Sequence, residues 1–329
     1  MMMTKKVDIK KVLLDNGIII VLMLLVLFTG ITKENFFSWN NLSNISVNTA
    51  ARVIIAFGVS GCLITKGTDL SAGRQVGLSA CIAGTLLQTM DYSGKFFKDL
   101  GDMPILGVLI LCILVCCLFG FINGVVISYL NVPPFIGTLG MQLAVYGICL
   151  VYSKATPLGG YRKDYTMIAT GKILNIPYML IIAVVIGLLM WFIYNYTRHG
   201  KYMYAIGGNE AAAEVSGVNV KKTKIIIYVT AAALYAVAGF LLGAKAGGAS
   251  VNMGNGYELE AIAACTIGGV STNGGIGRIS GVVIGVLVFE LLKSSMQFLG
   301  IPTDYQYIVQ GLVIIVAIAL DIQKYIAKK

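Results

Sequence analysis

Charge is scarce in this chain: of 329 residues, only 12% are Asp, Glu, Lys or Arg. A soluble domain carries about a quarter, so water cannot be the solvent for most of this surface. Histidine occurs once, at His199, with no Ser or Cys constellation beside it, which excludes a catalytic dyad. There is no GxxxxGK[ST] stretch, so phosphate cradling by a P-loop is excluded. No CxxC…CxxC spacing is present either, which removes zinc ribbons and a disulfide framework. All seven cysteines (Cys62, Cys81, Cys112, Cys116, Cys117, Cys149 and Cys265) fall in apolar runs, where cysteine acts as a small apolar filler. Cys112, Cys116 and Cys117 share a helix face, but nothing hard or basic joins them, and no metal site is expected.

Apolar sequence fills the space that charge leaves. The chain is 57% hydrophobic with mean hydropathy +0.83, and several runs approach the roughly 20 residues that cross a bilayer core. The expected architecture is an all-α polytopic membrane protein, one transmembrane domain over 1–329. Ten spans are expected, at 13–31, 47–65, 73–90, 104–130, 135–153, 177–195, 224–245, 259–270, 281–299 and 305–322. The third and eighth are short or glycine-interrupted, which is tolerated at membrane depth only where protein or water covers the backbone. Lys5, Lys6, Lys10 and Lys11 precede the first run, and no small-x-small cleavage site follows it, so an uncleaved first span is expected.

A net charge of +10 would point to nucleic acid in a soluble protein, but in a membrane protein it sorts loops instead. Segments 1–12, 66–74, 131–134, 196–224, 271–280 and 323–329 hold 15 of the 25 Lys and Arg. Both chain ends are therefore expected on the cytoplasmic side, and no nucleic-acid partner is expected. "TDLSAGRQVG" (68–77) and "TNGGIGRISG" (272–281) share Thr, Gly, Arg and Gly at matching offsets, a weak sign of internal repetition. "GGIGRISG" lacks the surrounding βαβ unit of a dinucleotide fingerprint and reads as a tight glycine turn.

Charged residues in spans are functional candidates by default. Glu290 and Lys293 are three apart on one helix face and can neutralise each other; a structural ion pair is favoured over a proton-coupling role. Asp69 and Arg74 at a cytoplasmic turn can pair, or Asp69 can cap the following helix. Tyr194, Tyr196, Tyr202 and Tyr204 flank a span boundary and are read as interfacial.

The most distinctive polar stretch is "AIGGNEAAAEVSGVNVKKTK" (205–224). Asn209 is a good N-cap and Glu210 suits the first turn. Residues 210–216 form a short helix that Gly217 ends in the left-handed conformation. Ala211, Ala212, Val215 and Val218 group on one side, with Glu210 and Glu214 on another. A two-turn helix is unstable alone, so its small apolar face must dock on something.

"RHGKYMYAIGGNEAAAEVSGVNV" (198–220) resembles the cytoplasmic loop of sugar-importing ABC transporter permeases of the ribose/galactose/xylose class. "GTDLSAGRQVGLSA" (67–80), "INGVVISYLNVPPFIGTLG" (122–140), "YELEAIAACTIGGVS" (257–271) and "IVQGLVIIVAIALDIQKYIAKK" (308–329) extend the resemblance over nearly the whole chain. The forms "GTDLSAGRQ" and "YELEAIAAC" are similar to the galactose/methyl-galactoside branch rather than the ribose branch. His199 departs from the Phe usual in this class. The resemblance implies that loop 196–224 carries a coupling helix comprising Gly207, Gly208, Asn209, Glu210, Ala211, Ala212, Glu214, Val215, Gly217 and Val218. It further implies a non-catalytic homodimeric subunit in a bacterial inner membrane. The implied partners are an ATPase with two nucleotide-binding halves, which uses ATP and Mg, and an extracytoplasmic galactose-binding protein. This chain itself is expected to bind no cofactor. Translocation-path or gating candidates are Asp69, Arg74, Gln75, Asn123, Glu260 and Glu290. Another monosaccharide such as ribose or xylose, or ion-coupled secondary transport, stands as the alternative.

Overall fold

The structure is a computed structural model that describes residues 17–326. Lys5, Lys6, Lys10 and Lys11, the start of the expected 13–31 span, and Lys328 and Lys329 lie outside the described residues. In chain order the helices are α1 (Gly17–Thr32), α2 (Trp39–Ile64), α3 (Ala72–Leu86), α4 (Ile105–Ser128), α5 (Pro134–Ser153), α6 (Lys163–Thr170), α7 (Tyr178–Tyr196), α8 (Arg198–Gly208), α9 (Glu210–Val215), α10 (Val220–Ala246), α11 (Tyr257–Ile267), α12 (Ile279–Phe298) and α13 (Thr303–Ile326). One departure from the all-α expectation is a two-residue hairpin pairing β1 (Lys172–Ile173) with β2 (Ile176–Pro177).

Among the described residues seven helices are long and apolar enough to cross a membrane: α2, α4, α5, α7, α10, α12 and Thr303–Gln323 of α13. They divide by burial. The spans in α2, α10 and α12 are 83%, 61% and 61% buried, whereas those in α4, α5, α7 and α13 are about 20%. The first group is an inner layer, and the second offers its apolar side chains outward, as lipid-facing helices do. Packing between layers uses small residues. Gly120 and Gly124 on α4 lie one turn apart against α10, and a Cβ at Gly120 would meet the Tyr228 carbonyl oxygen at 2.5 Å. Backbones approach this closely only where side chains are absent.

The expected third and eighth spans are α3 and α11, of 15 and 11 residues. At 1.5 Å per residue they reach about 22 and 16 Å, short of the roughly 30 Å hydrocarbon core. Protein covers them: every residue of α3 from Ala72 to Thr85 except Arg74 is buried. Their N-terminal ends meet inside the bundle, where Gly73 packs against the Glu258 carboxylate and the Gly254 carbonyl.

Segments assigned to one side by their Lys and Arg content gather at one end of the bundle. Gly275 N donates to the Ile64 carbonyl at 2.8 Å, Lys66 Nζ reaches the Gly208 carbonyl, and Asp321 accepts from Thr272 N at 2.9 Å. Lys221 lies over the Tyr129 ring. The other loops meet at the opposite end, where Thr89 N donates to Gly160 and Leu158 pairs with Ala249. Arg74 is the exception. It reaches away from its own turn to Asn255 Oδ1 (2.8 Å) and the Val251 carbonyl, so it does not belong in a surface count. The two repeat-like stretches also differ in setting. In the first, Asp69, Ser71 and Gln75 are fully buried, while the second is a turn with Ile276 and Arg278 exposed.

Candidate functional site

Loop 196–224 folds as two helices, not one. Thr197 caps α8 by accepting from Gly200 N. At its end, Gly207 is pressed between the Ile64 carbonyl and Gly275 N, leaving no room for a Cβ. The loop is thereby keyed to the end of α2 and to the α11–α12 turn. The Tyr204 hydroxyl, donating to the Gly277 carbonyl at 2.9 Å, adds a second tie.

Asn209 Oδ1 accepts from Ala212 N at 3.1 Å and starts α9, as the sequence indicates. Gly217 closes it at φ +87°, with Gly217 N bonded to the Glu214 carbonyl and Val218 N to the Ala213 carbonyl. This double C-terminal bond needs a left-handed residue at Gly217. The inward face differs from expectation. Ala213 is the buried residue, packed with Ile206, Val220 and Val218. Val218 thus belongs to the internal cluster, while Ala211, Ala212 and Val215 are exposed, Val215 at 91%. Glu214 is exposed, and Glu210 pairs with Lys224 at 2.7 Å. The six-residue helix satisfies its own backbone and still presents an uncovered apolar face.

The polar motif residues form two networks, the first buried and the second partly buried. In the first, Ser71, which the sequence reading passed over, is the centre. Its hydroxyl donates to Asp69 Oδ1 (2.5 Å) and accepts from Gln75 Nε2 (2.9 Å) and Asn123 Nδ2 (3.0 Å). Asp69, Gln75 and Asn123 therefore act together, although Asn123 comes from a different stretch of chain. Asp69 does not pair with Arg74. It accepts from Ser71 N at the start of α3 and is fully buried instead of lying at a surface turn. Arg74 stacks on Tyr146, 4.2 Å from the ring centre.

The second network corrects the expected Glu290–Lys293 pair. Glu290 accepts from Arg52 at 2.7 Å; Arg52 also bonds Glu260 at 3.0 Å, and Glu260 accepts from Lys293 at 2.8 Å. The result is a four-member chain of alternating sign across α2, α11 and α12. Arg52 lies inside the expected 47–65 span, where any charge is a candidate, so that rule applied to it would have found the chain. Buried Glu258, at the start of α11, was also missed; Gln142 Nε2 donates to it at 3.2 Å.

One other expectation changes. Tyr194 is a core residue, not an interfacial one, with its hydroxyl bonded to Ser60 (2.9 Å) and near the Phe57 carbonyl. His199 is half-buried and lines a small space with Phe57, Gly61 and Met203, and burial lowers its pKa.

Comparison with known proteins agrees with this architecture. The pattern of the family described as "Branched-chain amino acid transport system / permease component" matches residues 41–318. The chain is 43% identical over 322 residues to the galactose/methyl galactoside import permease protein MglC of Escherichia coli (strain K12), covering 96% of each. It is 42% identical to the MglC of Haemophilus influenzae, again covering 96% of each. Identity to the ribose import permease protein RbsC of Escherichia coli (strain K12) is 33%, covering 95% of each. No solved structure matches. A multi-pass bundle with a helical loop keyed to one end, matched along most of its length, is therefore a member of the permease-component family of the branched-chain amino acid transport system type.

Proposed function

We propose that this chain is the membrane-spanning permease of a bacterial ABC importer that carries galactose and methyl-galactosides across the inner membrane. The observation that carries the reading is α9: a capped, self-satisfied helix whose Ala211, Ala212 and Val215 are left uncovered on a loop keyed to α2. Such a face fits a groove in a partner, here an ATPase with two nucleotide-binding halves. That subunit uses ATP and Mg, and this chain performs no catalysis. The names of the galactoside-permease relatives supply the sugar. Two copies of the chain form the pore, and an extracytoplasmic binding protein delivers sugar from the side opposite α9. On this reading ten membrane segments, α3 and α11 among them, leave both chain ends in the cytoplasm.

A permease of this kind needs little affinity of its own. Tight binding slows release, so selectivity is better placed in the delivery protein and the pore keeps weak polar contacts. The decisive experiment is deletion of this chain in its native host. Uptake of galactose and methyl-galactoside at micromolar concentrations should disappear, ribose uptake should persist, and the lost uptake should be vanadate-sensitive and indifferent to an uncoupler. Loss of ribose uptake alone would refute the galactoside assignment.

A further inference from the structure

At the end of the bundle opposite α9, α2 and α12 enclose an open cavity of about 710 Å³. Asn40, Asn41, Asn44 and Asn48 line it from α2, and Ser294 and Gln297 from α12. The spacing is helical. Asn40, Asn44 and Asn48 follow at intervals of four on one face of α2, and Arg52 is the next step down. On α12, Glu290, Ser294 and Gln297 form the facing stripe. The two ionised groups in the lining, Lys245 and Glu290, have opposite signs, and each is already held: Lys245 by Asn48, Glu290 by Arg52. Beside Arg52 a separate space of about 10 Å³ is lined by Tyr257 and Glu260 and by the apolar Ile55, Ala261, Ala264, Val286 and Phe289.

We infer that this cavity is an outer vestibule that receives a neutral, polyhydroxylated sugar, with Glu290, the end of the Glu290–Arg52–Glu260–Lys293 chain, in its floor. The volume lies within the roughly 300–1,000 Å³ of small-ligand sites. Carboxamides both donate and accept, which matches hydroxyl groups that do the same. A lining with no surplus charge favours a neutral ligand over an ionic one. The polar stripe ends where the ion chain begins.

The inference rests on the sugar-import reading, and its test separates the two. Asn40→Leu/Asn44→Leu and Asn40→Gln/Asn44→Gln are made in the full chain and co-expressed with its ATPase and binding protein. Uptake is measured with galactose, methyl-galactoside and ribose, beside the amount of permease in the membrane. The Leu pair should cut maximal uptake about tenfold, the scale of one or two lost hydrogen bonds. Its half-saturating concentration should stay unchanged, because the delivery protein sets it, and the Gln pair should restore the rate. In a second arm, Asn44→Cys is labelled with an impermeant thiol reagent. Labelling should stop uptake, and the free transported sugar, but not the non-substrate sorbitol, should slow it; a cavity for lipid headgroups would show no such protection. Wild-type uptake in the Leu pair at normal protein level, or full labelling with undiminished uptake, overturns the vestibule. A wild-type chain that carries ribose and not galactose overturns the galactoside assignment, while the same comparisons run with ribose still decide the vestibule.

Discussion

Arg52 joins three helices through two carboxylates, and its removal shows how costly an unpaired charge is in this bundle. Arg52→Met would leave Glu260 bonded only to Lys293 and would strip Glu290 of the cation it bonds. Stripping one partner from a buried pair costs about 3–5 kcal/mol, so the amount of monodisperse permease recovered in detergent should fall sharply. Glu290→Gln combined with Lys293→Met removes the two ends of the chain and leaves the Arg52–Glu260 bond intact. That double variant should be recovered near the wild-type level, and each single variant at less. Recovery of Arg52→Met at wild-type level would show that the four charges are not coupled. His199 offers a milder test. Its pKa is lowered by burial, so the folded state prefers the neutral ring. The stability it contributes is present above the ordinary histidine pKa and is lost as pH falls through the lowered value. Thermal unfolding of the wild type should therefore lose more between pH 7.5 and pH 5 than that of His199→Phe, which carries no titrating group. Equal losses would place the ring in water.

At the scale of single elements, α9 has two faces with different duties. Ala213 packs inward on Ile206 and Val220, whereas Ala212 and Val215 point away from the chain's own atoms. Ala213→Trp should disrupt the loop itself and expose it to protease. Ala212→Trp should leave the permease folded and abolish co-purification of the ATPase. Gly217→Val forces a branched residue into the left-handed region, at about 1–2 kcal/mol, and should loosen the C-terminal end of α9 with the same loss of partner. Glu214→Gln, on an exposed position, should be nearly silent. ATPase pull-down and limited proteolysis together read these outcomes. Normal pull-down with Ala212→Trp would sink the docking assignment for that face. Elsewhere, α4 depends on Gly120. Gly120→Leu drives a side chain into the backbone of α10 at Tyr228; overpacking of this kind costs about 1–3 kcal/mol, and the melting temperature of the purified protein should drop.

For the whole molecule, the arrangement of ends is the property to test. Ser216 and the 271–278 turn share one end of the bundle, and Thr156 lies at the other with Gly160 and Ala249. A single cysteine at Ser216, in a cysteine-free background, should resist an impermeant thiol reagent in intact cells, and one at Thr156 should react. The reverse pattern would invert the topology. Much of this was legible in sequence, because hydropathy adds up along a chain and needs no partner. The long spans, the weakness of segments three and eight, the Asn209 cap and the Gly217 stop all follow from local composition and backbone preference. The segments grouped by their Lys and Arg content do meet at one end of the bundle, except at Arg74, whose turn sinks into the bundle. Sequence alone could not say that Asp69, Gln75 and Asn123 meet at Ser71, nor that Glu290 takes Arg52 and not Lys293. Those choices depend on how far α2, α3, α4, α11 and α12 are rotated about their axes, which only their mutual packing decides. The same holds for α9. Its small residues were plain in the sequence, but which of them turn inward was settled by the keying of Gly207 against Ile64, a close approach between segments more than a hundred residues apart.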